Sequence, residues 1–212
     1  MTDLTRQYLA AARTAAGLLA HRAVADHWTE PSALDGFTVG GLAAHLAAQI
    51  TSGAAAVDAD PAGKPLIGLF ERYDQAGWLA ADIDNEDNTA IRTAGEETGA
   101  AGPDAVIAAA ATALGRLDQA LPGLPGDAPS GDPRWPYATT LDDFLVTRLM
   151  ELVVHADDLA YSVGVDTPEF DQDAFDTATW VLARLAARRH GRPALIRALA
   201  RSERAPGSIS AL

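Results

Sequence analysis

The sequence predicts an all-α protein: a bundle of four principal helices with additional helices packed at its C-terminal end. Three observations carry that prediction. Apolar residues recur at helical spacing in long runs, no segment sustains the period-2 alternation of a strand, and Gly, Pro and acidic residues punctuate the runs. With 212 residues, 48% of them hydrophobic, a bundle of this size buries an adequate core.

Residues 4–27 form the first expected helix, with Leu4, Tyr8, Ala12, Ala15, Leu18, Leu19 and Ala23 at helical spacing. After a loop, Thr38 is the expected N-cap of a helix reaching about Val57, because its hydroxyl can accept from the open amides of the first turn. Residues 61–81 read as a weaker helix containing Leu66, Leu69, Phe70, Tyr73 and Trp78, and residues 82–88 as an acidic, exposed loop. Residues 103–121 are an Ala-rich helix with Pro103 in its first turn. The loop over 122–137 carries five prolines and Trp135. Thr140 and Asp143 approximate a capping box for the most apolar helix, 141–163, which Gly164 closes. Residues 171–190 and 193–204 supply the last helices, the first closed by Gly191. The expected division is a bundle over residues 1–165 and a helical extension over 166–212.

Composition excludes several kinds of chemistry. The chain has no cysteine, so it supplies no thiolate metal ligand and no thiol nucleophile of its own. Its net charge of −13 argues against nucleic acid as a partner. No run approaches the roughly 20 apolar residues of a membrane span, and the first residues lack a signal peptide's basic and apolar regions, so a cytoplasmic protein is expected. From Arg184 onward seven arginines stand against Glu203, a local +6. Such a segment either meets an anionic partner or folds back on its own acidic body, the more ordinary arrangement.

Glu151 and His155 stand four apart on the strongest helix, so both side chains leave one face as neighbours. A helical wheel gathers Thr147, Arg148, Glu151, His155, Asp158 and Ser162 into one stripe and leaves the rest apolar except Asp157. The stripe is either a solvent face laced with ion pairs or an inward face that holds a metal, and the helix alone does not decide. His45 interrupts an Ala/Leu helix with no other ionisable group between Asp35 and Asp58. Alone it reads as an ordinary structural histidine. Together, two His and one Glu from two helices would make a site for Zn²⁺ or a similar divalent ion, with an open fourth position. His21, His27 and His190 lack such a context.

At these residues the sequence resembles a known family. Trp28-Thr29-Glu30-Pro31-Ser32, Gly36-Phe37-Thr38-Val39-Gly40-Gly41-Leu42-Ala43-Ala44-His45-Leu46 and Arg148-Leu149-Met150-Glu151-Leu152-Val153-Val154-His155-Ala156-Asp157-Asp158-Leu159 look like the metal-binding domain of the mycothiol-dependent maleylpyruvate isomerase family, within the DinB-like four-helix bundles. The resemblance implies metal ligands at His45, Glu151 and His155. It also has two departures: Phe37 where the family often has Trp, and Gly41 where it often has an acid that would favour the helix N-terminus. The isomerases carry a further α/β domain, whereas only residues 166–212 follow the Glu/His helix here, so a thiol transferase is expected before an isomerase.

The expected function is therefore metal-dependent transfer of a low-molecular-weight thiol, mycothiol, to a small electrophilic substrate. Arg148 would support Glu151, and Asp158 would orient His155 or meet the cosubstrate. Trp135 and Tyr137 would line the cleft or plug the bundle end. The alternatives are a metal-dependent hydrolase or isomerase without a thiol, and a non-catalytic ligand-binding bundle. Pairing into a homodimer through an outer helix stays open.

Overall fold

The computed structural model describes residues 1–79 and 84–212. Its helices are α1 (Asp3–Leu19), α2 (Arg22–Asp26), α3 (Val39–Asp58), α4 (Leu69–Asp74), α5 (Glu86–Gly99), α6 (Pro103–Ala120), α7 (Leu141–Ser162), α8 (Gln172–His190) and α9 (Arg192–Ala200). Four of them build the bundle: α1 and α3 each lie against both α6 and α7. Tyr8, Leu42, Leu46, Ile50, Leu117, Phe144, Leu145 and Leu149 fill its interior. Helix α8 packs on α7 and α1, and α9 packs on α8. The architecture is the all-α bundle with C-terminal helices that the sequence predicts.

Two expected caps form. Thr38 Oγ1 accepts from the Gly41 amide at 2.9 Å, and Thr140 Oγ1 accepts from the Asp143 amide at 3.1 Å. Three expected helices are shorter, the last of them, 193–204, because Arg201 is extended and separates α9 from a short turn at Ser202–Arg204. The first breaks after Leu19 because the His21 ring accepts from the Ala23 amide at 3.2 Å and starts the separate α2. Of residues 61–81, only Leu69–Asp74 and a short turn at Gly77–Leu79 are helical. Pro61, Gly63, Pro65 and Gly68 disfavour helix before them, and Ile67 donates to the Ala138 carbonyl instead, at 2.9 Å. Residues 80–83, which include the end of that expected helix and the start of the expected acidic loop, lie outside the described residues.

Helix α5 corrects the end of the expected loop over residues 82–88, since residues 86–88 form its first turn. Asn85 caps it by accepting from the Asn88 amide at 2.9 Å, and Glu86 and Asp87 sit in its first turn, where negative charge is favourable. Its contact face shows no apolar periodicity because that face is glycine. A Cβ at Gly99 would stand 2.7 Å from the Gly40 carbonyl oxygen, and one at Gly95 would stand 2.9 Å from that of Gly41. Only hydrogen at those positions lets α5 lie backbone to backbone on α3. Trp28 ties the pair further by donating from Nε1 to the Gly99 carbonyl at 3.0 Å.

The same contact explains Gly41. Glu96, from α5, accepts from the Thr38 amide at 2.7 Å and from the Thr38 hydroxyl at 2.9 Å. A Cβ on residue 41 would lie 2.1 Å from a Glu96 oxygen. The negative charge at the α3 N-terminus is not missing; it is delivered from another helix, into the space an acidic residue at 41 would need.

A two-residue antiparallel hairpin, β1 (Pro129–Ser130) with β2 (Thr139–Thr140), holds the Trp135 loop at the start of α7. The basic C-terminal segment folds back in part: Arg188 pairs with Asp74, and Arg184 and Arg188 lie over the Phe70 ring at 5.0 and 5.6 Å. Among the described residues no helix is long and apolar enough to cross a membrane.

Candidate metal centre

Helix α7 is enclosed on several sides, by α1, α3 and α8. The middle of its polar stripe consequently faces protein and not solvent. Thr147 is fully buried, and Glu151 and His155 are each only 8% exposed. The stripe meets α3 at the turn that carries His45, whose ring stands edge-on to that of His155 with centroids 4.6 Å apart. The Phe37 ring also lies beside His45, tilted to it, at 5.8 Å between centroids.

One ligand atom from each of His45, Glu151 and His155 lies within 4.8 Å of the others. His155 Nε2 stands 3.0 Å from Glu151 Oε2, and His155 Nδ1 stands 2.9 Å from Asp158 Oδ2. Asp158 therefore fixes which ring nitrogen points into the cluster. Asp157 takes no part: it is exposed and accepts from Thr167 Oγ1 at 2.5 Å.

Burial and charge set the protonation of the cluster. Burial lowers the His45 pKa to about 3, with the charge on His155 adding to the effect, so His45 is neutral across the physiological range. For His155 burial acts downward, but hydrogen bonds to Asp158 and Glu151 and their charges outweigh it and raise the pKa to about 9. For Glu151 burial acts upward, and the hydrogen bond and charge of His155, with the charge of Arg148, hold the carboxylate below its usual range. Without a metal, an imidazolium sits between two carboxylates. The donor set, two imidazoles and one carboxylate, is one that Zn²⁺ accepts, and separations under 5 Å suit donors that must reach one ion at about 2.0–2.2 Å.

Arg148 reaches a different partner from the one expected. Its Nη1 donates to Gln49 Oε1 at 2.6 Å and its Nε to Thr147 Oγ1 at 3.1 Å, so it acts on Glu151 through charge and makes no hydrogen bond to it. Gln49 in turn donates to the His45 carbonyl at 2.9 Å, linking the two helices beside the triad. Trp135 packs on Phe144, at 5.6 Å, and on Tyr137, at 5.4 Å, at the same end of α7. His21, His27 and His190 lie outside the cluster, each bonded to backbone.

Sequence reasoning missed two groups. Gln49 lies one turn beyond His45, and that spacing was a usable signal. Arg72, on α4, carried none. It is 5% exposed, with its guanidinium over the Trp135 ring at 4.5 Å and over Tyr73 at 5.1 Å.

The profile of the mycothiol maleylpyruvate isomerase N-terminal domain matches residues 9–160. The chain belongs to that family. The match begins within α1, takes in α3, α6 and all of His45, Glu151 and His155, and ends within α7, before α8 and α9. A mycothiol-associated helical domain of the DinB-like kind is thus what the bundle and the polar cluster compose. No curated protein and no solved structure matches the chain.

Proposed function

We propose that this mycothiol maleylpyruvate isomerase family member is a metal-dependent thiol transferase, in which His45, Glu151 and His155 hold a divalent ion, Zn²⁺ by donor preference. One observation carries the reading: two histidines and a carboxylate from different helices converge within 4.8 Å, with Asp158 behind one of them. When bound, such an ion supplies Lewis acidity at an open position and lowers the pKa of a thiol that reaches it.

The protein's own residues do the rest. Asp158 keeps the Nδ1 proton of His155 in place and leaves Nε2 free to ligate. Glu151, ionised and buried, contributes the negative ligand. Gln49 and Arg148 brace the seam between α3 and α7 beside these groups. Because the chain has no cysteine, the sulfur arrives with mycothiol, the family's thiol. The thiol's S–H bond would break, its proton passing to solvent, and a carbon–sulfur bond would form as the electrophile's leaving group departs with the electron pair of its bond to that carbon. Residues 166–212 serve in this reading as an extension covering the bundle, and the protein works in the cytoplasm, where the thiol is kept reduced.

The test is elemental analysis of protein purified without chelator, followed by thermal unfolding with millimolar mycothiol. About one equivalent of divalent ion is expected in the wild type, with loss in His45→Ala and Glu151→Gln. Mycothiol should raise the melting temperature of the metal-loaded wild type and leave His45→Ala unmoved. Metal without any thiol response would favour a hydrolase or thiol-free isomerase; absence of stoichiometric metal would leave a non-catalytic bundle.

A further inference from the structure

Helix α8 carries its charge in an order that its own fold does not use. Acids stand only before Trp180, at Asp173 and Asp176, and arginines only after it, at Arg184, Arg188 and Arg189. Negative charge at the start of a helix and positive charge at its end answer the macrodipole, but that effect fades beyond the terminal turns. It accounts for Asp173 and for Arg188 and Arg189, not for Asp176 and Arg184, which stand further in. Nor do these two meet each other, because eight residues of helix hold them about 12 Å apart along the axis. Among the described residues neither has an ion-pair partner. Asp176 accepts from the uncharged Gln172 amide at 2.7 Å, and the Arg184 guanidinium lies over Phe70 and Trp180 at 5.0 and 5.9 Å.

Asp176, Trp180 and Arg184 share a face. They recur at four-residue spacing within a sector of about 80°. That sector is turned away from Ala174, Ala178, Val181 and Leu185, the buried side of α8. All three are exposed, and Trp180, a ring that folding ordinarily covers, keeps 47% of its surface open. Phe70, from α4, packs edge-on against it at 5.3 Å and widens the aromatic centre. An aromatic centre with charges to either side is the anatomy of a protein–protein contact. Arg188 takes no part in it, being paired with Asp74.

The face is its own complement. Four residues, about 6 Å, separate Trp180 from Asp176 on one side and from Arg184 on the other. A second α8, turned end for end about a two-fold axis through Trp180, sets Asp176 opposite Arg184 of the partner subunit and Arg184 opposite the partner's Asp176. The two indoles meet at the axis. A two-fold interface repeats each contact in this way, whereas a parallel pair would set acid against acid and base against base. A foreign partner gives no reason for equal spacing about the ring; a second copy does. Each chain carries −13, so whole copies repel. At about 0.15 M salt charges beyond about 8 Å are screened, which leaves the facing pairs to act.

We propose that two copies of this chain form an antiparallel dimer along α8, with Trp180 at the two-fold axis and an Asp176–Arg184 pair between chains on either side of it. Helix α8 lies beyond residues 9–160, so the family match does not reach this face. The pairing needs neither metal nor thiol and stands apart from the function proposed above.

The test is the mass of the full chain in solution, read by sedimentation across the micromolar range at about 0.15 M salt. Wild type is expected at the mass of two chains. Asp176→Arg brings like charge to the partner's Arg184, and Arg184→Asp does the same to the partner's Asp176, so each variant should be a single chain. An equimolar mixture of the two should return to two chains, since each then faces opposite charge. The double variant Asp176→Arg/Arg184→Asp, with both pairs reversed, should do so as well. Loss followed by return separates pairing from misfolding, and circular dichroism reads the helix content of each variant. Where a charge reversal disturbs the fold, Asp176→Asn and Arg184→Gln replace it. Each removes two symmetry-related pairs and should weaken the dimer about fivefold or more.

A wild-type mass of one chain throughout the range overturns the proposal. So does a dimer that survives either charge reversal, or whose dissociation is unchanged in the neutral variants. Single-chain variants that stay single when mixed overturn it too. A mass that keeps growing past two chains with concentration overturns it in favour of open head-to-tail association.

Discussion

Asp158 Oδ2 lies 2.9 Å from Nδ1 of His155, one turn further along α7, and so turns the ring's other nitrogen toward Glu151. A carboxylate behind a ligating imidazole fixes its tautomer and raises its basicity. Asp158→Asn is therefore expected to lower zinc affinity by about 10- to 100-fold. Competition against a chromophoric chelator measures this. Asp157→Asn, altering the adjacent acid that binds Thr167 instead, is the control and should leave the affinity unchanged. Equal affinities in Asp158→Asn and wild type would remove Asp158 from the site.

The raised pKa of His155 makes metal uptake depend on pH. In the metal-free protein His155 stays protonated up to about 9, whereas His45 is neutral and Glu151 ionised well below that. Binding must displace one proton, so affinity should rise about tenfold per pH unit from near pH 6.5 toward 9 and flatten above it. The metal-free fold behaves oppositely. A histidine whose pKa rises from about 6.5 unfolded to about 9 folded contributes stability that is full below the first value and lost through the second. Calorimetry in buffers of different ionisation enthalpy should find about one proton released per ion at pH 7 and almost none at pH 10. Release of no proton at pH 7 would contradict the imidazolium between two carboxylates.

The α3–α5 contact should be intolerant of a single methyl group. Gly99→Ala places a Cβ 2.7 Å from the Gly40 carbonyl oxygen, and backbone cannot swing aside as a long side chain can. The helices must separate, which also draws the Gly99 carbonyl from Trp28 Nε1, 3.0 Å away. A loss of about 1–3 kcal/mol is expected, the range for overpacking. Chemical denaturation measures it. Gly115→Ala, at a position with open space around the new methyl, should be neutral or slightly stabilising.

How legible each feature was follows from the kind of signal behind it. Helices α3, α6 and α7 announce themselves by apolar spacing and by Thr38, Pro103 and Thr140 at their starts, and those caps form. Helix α5 was hidden because glycine makes its contact face, and a face without side chains has no hydrophobic period. Glu151 and His155 were visible as a spacing, but their direction was not. Whether the stripe met water or protein depended on α3 arriving over it, and a helical wheel carries no record of its neighbours. The convergence of His45 on that stripe is likewise tertiary; resemblance to the family pointed to it before geometry could. Arg72 had no sequence signal, since an arginine in a short polar helix is ordinarily solvated, and only its burial beneath Trp135 makes it unusual.

The seat shared by Gly41 and Glu96 yields a prediction about sign as well as size. Glu96→Ala removes the acceptor for the Thr38 amide and hydroxyl and the negative charge at the α3 N-terminus. A loss of about 1–2 kcal/mol is expected, as for a deleted cap. For a chain of this length that is a fall of roughly 2–4 °C per kcal/mol in melting temperature. Gly41→Asp alone brings a second carboxylate into space where a Cβ already meets a Glu96 oxygen at 2.1 Å, so it too should destabilise. Combined, the new acid enters a vacated seat and supplies the charge that Glu96 no longer gives. The double variant should be more stable than the sum of the two losses predicts, with a favourable coupling of about 1 kcal/mol. Thermal melts of all four proteins close the cycle. Strict additivity would mean that the two positions do not share one seat, and that the charge at the start of α3 comes from elsewhere.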